Sequence, residues 1–372
     1  MLKPVFINAH SIVSPLGISS QQNFDALLQG NSGVQLQHRN DIDDEPFYAS
    51  LIDDNLLQDE INPNYTRFET LLITSIKQAL KHTSINIKNE KTIIIFSSTK
   101  GNIALLENKQ ATPELLECIS LFHSAKLVAQ VLENPNTPIV ISNACISGIA
   151  ALLFAKRLLE TSAYENAVVV GADTITKFVF SGFKSFRALS AGKCKPFSAD
   201  RDGINLGEAA ATIILTTQAA STNKIHLKGG ATSNDANHIS GPSKTGDELS
   251  IAINKALSEA NISANEIDFI SAHGTATLFN DEMEAKAFHI AALFDVPINS
   301  LKAYFGHTLG AAGLVESVIS ILSLENNVVM PTLGFTTLGV PVAANICTET
   351  IHKPMKSFLK TASGFGGCNG AL

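Results

Sequence analysis

The sequence predicts an α/β fold built from two similar halves. Short apolar, β-branched runs alternate with helical patterns along the chain, and after a polar break at Gln218 to Asn223 the pattern begins again. Each half also contains a strand, a turn and a helix of small residues, one around Cys145 and one around His307. Setting these two residues against each other matches Gly148 with Gly310 and Ala150 with Ala312. Such self-similarity suggests internal duplication, with halves at 1–217 and 224–372, and it brings a cysteine and a histidine to a shared centre.

Taken in order, Pro4 to Ala9 reads as a first strand, and Asn31 to Asn64, with its acidic run Asp41 to Glu45, as a polar surface excursion. Arg67 to Lys81 has the helical period, with Phe68, Leu71, Leu72, Ile76, Ala79 and Leu80 on one face. Thr92 to Ser98 is a buried strand, Pro113 to Leu132 a helix, Pro138 to Ser142 a strand and Ile149 to Leu159 a helix. Asn166 to Gly171 and Ala211 to Thr216 close the first half as strands. In the second half, Lys224 to Gly229, Ile267 to Ser271 and Ile298 to Leu301 read as strands. Glu248 to Ala260, Asp281 to Phe294 and the stretch from His307 to Leu324 read as helices.

A chain of 372 residues, 45% hydrophobic and 16% charged, has ample material for a large core. Its formal net charge of −7 argues against nucleic acid as the main partner. Five cysteines, at 118, 145, 194, 347 and 368, form no CxxC pair, which points to a reducing, cytoplasmic compartment. The apolar residues after Met1 are too few for a signal peptide. The uncharged run between Glu133 and Lys156 approaches membrane-spanning length, but Pro135, Pro138, Asn134 and Asn143 break it into loop, strand and turn, so it reads as core.

Cys145 falls on a strand-to-helix turn, where free N–H groups and the helix dipole favour a thiolate. By itself the segment reads more readily as a buried, inert cysteine. His273, directly after a strand, occupies the ligand-binding end of an open α/β sheet, and equally suits a turn histidine bonded to its own backbone. His307, five residues after Lys302 and at a helix start, should be kept neutral by the helix dipole. Ser363 to Gly370 is glycine-rich without dinucleotide spacing, and its glycines suit backbone N–H groups approaching a reacting oxygen. Asp281, Glu282 and Glu284 open a helix, where acids suit the dipole better than a metal. The other eight histidines carry no pattern.

In this order, Cys145, His273, Lys302, His307 and Gly364-Phe365-Gly366-Gly367 resemble a β-ketoacyl-acyl-carrier-protein synthase of the elongating, Cys-His-His type. Lys195-Pro196-Phe197, Asp200 to Gly203, Gly207-Glu208 and Ala311-Ala312-Gly313 match as well. The resemblance implies the thiolase-like fold, two duplicated halves stacked as five layers, α-β-α-β-α. It implies a decarboxylative Claisen condensation of a carrier-bound acyl group with malonyl-acyl-carrier protein, in fatty-acid or polyene and polyketide-type biosynthesis.

By the same resemblance Cys145 is the acyl-accepting nucleophile, and His273 and His307 hold the malonyl thioester carbonyl during loss of carbon dioxide. Lys302 orients the pair, with Glu316 as its ion partner. The N–H groups of Cys145 and Phe365 form the oxyanion hole, and the Phe365 ring gates the cysteine. No metal or nucleotide cofactor is implied, since the phosphopantetheine arm comes with the carrier. The implied partners are an acyl-carrier protein and a second chain, as homodimer or as heterodimer with a related ketosynthase-like chain; neither nucleic acid nor membrane is expected.

Three features depart from the family pattern: shortened segments around Gly33 to Arg67 and between Ser98 and Pro138, Ile146 beside the nucleophile, and a short last strand at Leu372. Two rival readings are a non-catalytic chain-length partner, against which Cys145 and both histidines argue, and a thiolase or initiating synthase acting on coenzyme A esters, which would replace one histidine. Arg67, Lys100 and Lys126 are candidates for a basic patch that docks an acidic carrier.

Overall fold

The computed structural model describes residues 2–107, 109–219, 225–236 and 241–372. In the first half, five strands form one sheet in the order Phe6–Val13, Ala209–Thr216, Asn166–Asp173, Thr92–Ser97, Ile139–Ile141. The first two pairings are antiparallel and the last two parallel. In the second half the order is Ala231–Asn234, Cys368–Ala371, Phe358–Gly364, Phe269–Ser271, Ile298–Asn299, again two antiparallel pairings followed by two parallel ones. Counted along the chain within each sheet, both orders are 1-5-4-2-3. The duplication read from weak sequence similarity is therefore repeated strand for strand in direction and order.

Helices Arg67–Leu80 and Leu121–Val131 cover the outer face of the first sheet. Asp247–Ala260 and Leu278–Ile290 cover the outer face of the second. Between the sheets lie Ser147–Glu160 and Ala312–Asn326, which completes the α-β-α-β-α stack. The two-residue period of the strands assigns their side chains. Ile93 and Ile95 face the central layer with Ala167 and Val169, whereas Ile94 and Phe96 face the outer helices with Val168 and Val170. Burial on both faces explains why these strands read as continuous apolar runs, each such side chain contributing about 1.5–3 kcal/mol. Leu309–Asn326 is long and apolar enough to cross a membrane by composition, yet 83% of it is buried as the central core.

The two central helices meet at main-chain distance. A Cβ added to Gly148 would lie 2.9 Å from the Leu314 nitrogen and 3.2 Å from the Gly310 oxygen, and one added to Gly313 would lie 2.8 Å from the Ile149 nitrogen. The matched glycines Gly148 and Gly310, together with Gly313, thus lie where the halves touch.

Several elements differ from expectation. Pro113 to Leu132 is two helices, Pro113–Cys118 and Leu121–Val131, separated at Ile119 and at Ser120, whose extended backbone starts the second. Of the strand expected over 224–229, Lys224 lies outside the described residues. The remainder makes only an isolated bridge, His226 with Phe6; the strand that joins the sheet is Ala231–Asn234. The polar excursion contains Gln35–Gln37 and Phe47–Ser50, which pair with Leu206–Gly207 in a small third sheet. The helix expected from Asp281 begins at Leu278, with Thr277 as its cap position.

Candidate active site

Each reactive side chain is held by a different local device. The strand Ile139–Ile141 leads into a turn in which Ala144 takes φ +45°, and the helix begins at Ser147. The Ser147 hydroxyl accepts the Asn143 N–H at 2.8 Å and donates to the Ala144 carbonyl at 2.6 Å, locking the turn that presents Cys145. His273 follows the strand Phe269–Ser271, and its loop is stapled from beneath. Glu284 accepts the N–H groups of His273 and Gly274 at 2.8 and 2.6 Å, and Asp281 accepts those of Thr275 and Phe197 at 2.9 and 2.7 Å. These two acids lie fully buried under the site, so they anchor the histidine loop rather than complement a helix dipole.

His307 is not at a helix start. It follows the short helix Lys302–Phe305 and precedes a 3₁₀ turn, with the long helix beginning only at Ala312. Its N–H donates to the Asn205 carbonyl at 2.7 Å and its carbonyl accepts the Gly207 N–H at 3.0 Å. Clamped this way, His307 Nε2 lies 3.0 Å from Cys145 Sγ. The His273 and His307 rings meet edge to face, with centroids 5.2 Å apart. One polar side-chain atom from each of Cys145, His273 and His307 lies within 4.8 Å of the others. Lys302 donates to the His273 carbonyl at 2.9 Å, sits 3.4 Å from His273 Nδ1, and is ion-paired with Glu316. An ammonium facing Nδ1 leaves that nitrogen an acceptor, so the His273 proton resides on Nε2.

Electrostatics change the expected picture of the nucleophile. Burial pushes the Cys145 thiol up to about 12, with the neighbouring Cys368 adding to it and Lys302 opposing it. Loss of water outweighs the helix start, and the resting group is a neutral thiol rather than a thiolate. Both histidines are held well below their ordinary value, first by burial and then by Lys302. Desolvation, rather than a helix dipole, keeps His307 neutral. With an ammonium beside His273, the cluster suits a thioester oxygen better than a metal cation.

The glycine-rich segment is the turn of a hairpin between Phe358–Gly364 and Cys368–Ala371, with no helix after it. A Cβ on Gly364 would lie 2.9 Å from the Cys145 nitrogen, so only glycine lets the turn come this close. The Phe365 N–H bears on the Cys145 sulfur. The half-exposed Phe365 ring packs against Phe183 and Phe186, with centroids 5.7 and 5.3 Å away. Cys368 is buried, its sulfur 3.4 Å from the Phe365 carbonyl. His10 is a packing residue bonded to Ser20, whereas His238 lies outside the described residues.

Sequence reasoning missed two buried charges. Asp173 accepts the Ser98 hydroxyl at 2.8 Å and the Gly310 N–H at 2.7 Å, joining the first half to the loop after His307. Lys360 lies 2.6 Å from Glu316 Oε2, a charge contact out of line for a hydrogen bond. A signal existed for each: an aspartate closing the run Val168 to Ala172, and a lysine inside Phe358 to Ala362. Of the docking candidates, Arg67 is committed to Asp54 and Glu208, whereas Lys100 and Lys126 are exposed beside the rings of Phe178 and Phe122.

Residues 2–220 match the family model of the beta-ketoacyl synthase N-terminal domain, and 225–336 that of the C-terminal domain. The chain is 28% identical to 3-oxoacyl-[acyl-carrier-protein] synthase 2 of Vibrio harveyi, over 99% of this chain and 97% of that protein. It is 27% identical to the putative mitochondrial 3-oxoacyl-[acyl-carrier-protein] synthase of Schizosaccharomyces pombe, over 100% of this chain and 98% of that one. Among solved structures, a ketosynthase in complex with its chain length factor from Xenorhabdus doucetiae superposes with a TM-score of 0.83 at 28% identity, covering 100% and 97% of the two chains. The ishigamide ketosynthase/chain length factor superposes with a TM-score of 0.90 at 23% identity, covering 100% and 98%.

Proposed function

Because the chain belongs to the β-ketoacyl synthase family, we propose that it is a 3-oxoacyl-[acyl-carrier-protein] synthase whose chemistry is divided among Cys145, His273 and His307. The observation that carries this reading is the convergence of those three side chains in one buried pocket, with His307 Nε2 3.0 Å from Cys145 Sγ.

In the loading step, Cys145 sulfur attacks the thioester carbonyl of a carrier-bound acyl group while its proton passes to His307 Nε2. The backbone N–H groups of Cys145 and Phe365 hold the oxyanion, and the carrier thiol leaves with a proton, giving an acyl-enzyme. In the second step a malonyl thioester occupies the site with its carbonyl oxygen between the two imidazoles. Its carboxylate leaves as carbon dioxide, and the bonding pair moves towards that oxygen, where the Nε2–H of His273 and that of His307, which turns to the tautomer protonated on Nε2 once Cys145 is acylated, receive the charge. The enolate carbon then attacks the acyl carbonyl on Cys145. Carbon–sulfur cleavage releases the 3-oxoacyl carrier thioester and leaves a Cys145 thiolate, which takes up one proton from solvent to return the thiol. This scheme draws on no metal or nucleotide cofactor, and the phosphopantetheine arm belongs to the carrier.

The partners we infer are an acyl-carrier protein and a second chain of the same fold. Support for the second chain comes from the strand Ile139–Ile141, a sheet edge whose three β-branched residues are only half-buried, directly before the nucleophile turn. A heterodimer fits the solved relative that pairs with a chain length factor. All five cysteines are unpaired, which suits a reducing cytoplasm in which Cys145 stays a thiol. Intact-protein mass spectrometry after incubation with a panel of acyl-carrier thioesters tests the proposal. A single acyl adduct that disappears in Cys145→Ala is expected, and loading that persists on another cysteine would overturn it.

A further inference from the structure

Lys360 is a buried charge that the scheme above leaves unused. Its side chain is fully enclosed in the strand Phe358–Gly364. Its Nζ lies 3.0 Å from the Ser271 carbonyl, 3.2 Å from that of Ala272, 2.7 Å from that of Thr361 and 2.6 Å from Glu316 Oε2. The three carbonyls match the three donors of the ammonium form, with Glu316 Oε2 as a charge contact; burial lowers the Lys360 pKa and Glu316 opposes that shift. The other Glu316 oxygen is paired with Lys302, which donates to the His273 carbonyl. Two lysines joined by one carboxylate therefore grip three successive carbonyls, Ser271, Ala272 and His273. Glu284, bonded to the His273 N–H and the Thr361 hydroxyl, acts on Lys360 as a second carboxylate.

We propose that Lys360 is a positioning residue of the condensation: with Lys302 and Glu316 it clamps the strand end that carries His273, and it makes the cluster beneath the two imidazoles one unit more positive than it would be without it. The inference rests on the proposed roles of His273 and His307. Lys302, with Glu316 and Lys360 behind it, faces the imidazoles from one side and Cys145 from the other. Glu284 holds the His273 backbone, and Asp173 and Cys368 lie beyond Cys145. The Lys360 charge disfavours imidazolium, adding to the effect of burial on both rings. It keeps His307 able to accept the Cys145 proton and His273 fixed as a donor.

The test compares wild type, Lys360→Met and Lys360→Met/Glu316→Gln. Cys145 alkylation by iodoacetamide is followed by intact mass across pH, thermal melting reports folding, and malonyl-carrier decarboxylation is resolved into kcat and KM. Lys360→Met leaves the Lys302–Glu316 pair neutral, so the acidic limb of alkylation should rise by about one pH unit. Decarboxylation should lose roughly tenfold in kcat with KM unchanged, as His273 loosens. The double variant restores the wild-type net charge of the cluster and should return the limb towards wild type, which a merely structural role would not do. Lys360→Gln, which keeps a donor for the carbonyls, should show the same rise if Lys360→Met does not fold. A folded neutral variant with the wild-type pH profile overturns the inference, as does a double variant whose limb stays with that of Lys360→Met. Alkylation needs no carrier substrate, so a wild-type chain that alkylates at Cys145 but neither loads acyl groups nor decarboxylates sinks the functional reading instead.

Discussion

Replacing the two histidines one at a time should separate two roles that their matching chemistry conceals. With the Cys145 thiol pushed up to about 12, only about one molecule in 10⁵ carries a thiolate near pH 7. Acyl loading therefore needs a base, and His307 Nε2 at 3.0 Å is placed to be it. General-base assistance of this kind is worth about 10²–10⁴-fold. His307→Ala should lose roughly 10²–10³ in loading, and a similar factor in decarboxylation through its loss as an oxyanion donor. His273 is anchored by Lys302 and Glu284 with its own Nε2–H free for substrate. His273→Ala should keep loading within about threefold of wild type, yet lose about 10²–10³ in decarboxylation, or roughly 3–4 kcal/mol. The double variant should fall well short of the product of the two losses in decarboxylation, because both groups act on one oxygen. Rapid-quench intact-mass measurements read loading, and carbon dioxide release from malonyl-carrier read in parallel gives the other step. Wild-type loading in His307→Ala, or equal loss of loading in the two variants, would refute the reasoning.

Three further outcomes are expected. Decarboxylation by the wild type should stay flat as pH falls through 6.5, since the neutral imidazoles are the active forms and both are held well below that value; an acidic limb centred near 6.5 contradicts this. Glu284→Ala strands two buried N–H groups and the Thr361 hydroxyl, and urea unfolding should show about 2–4 kcal/mol of lost stability. Glu substituted at Lys100 or Lys126 should raise KM for a carrier-bound substrate while leaving that for a small-thiol analogue unchanged; equal rises count against docking there.

Much of the fold was legible because burial on both faces imposes long β-branched runs, and Ile93 to Phe96 or Val168 to Val170 cannot be read otherwise. The reactive set was legible because its members fall in a fixed order along the chain. What escaped was everything that depends on where water is excluded. A helix dipole favours the thiolate of an exposed cysteine, but at Cys145 the loss of water outweighs it. Asp281 and Glu284 look like ordinary helix-opening acids until the loop above them is seen to hang from their oxygens. His307 looked like a helix-start residue because Lys302 to Ala311 is a chain of short turns whose boundaries propensity does not resolve. Lys360 sits in a strand whose pattern is apolar, and a single-residue exception there gains meaning only once Glu316 is found across from it.

The close approach of Gly148 and Gly313 has a bearing on how this chain can change over time. The segments carrying Cys145 and His307 lead into two helices that abut backbone to backbone. Their separation is therefore a thickness of peptide, not a sum of side-chain sizes. Mutations that reshape the surrounding apolar wall leave this contact in place, because no side chain stands between the two backbones there. The apolar wall around the site is thus free to vary in a way that the Gly148–Gly313 contact, which tolerates no added carbon, is not.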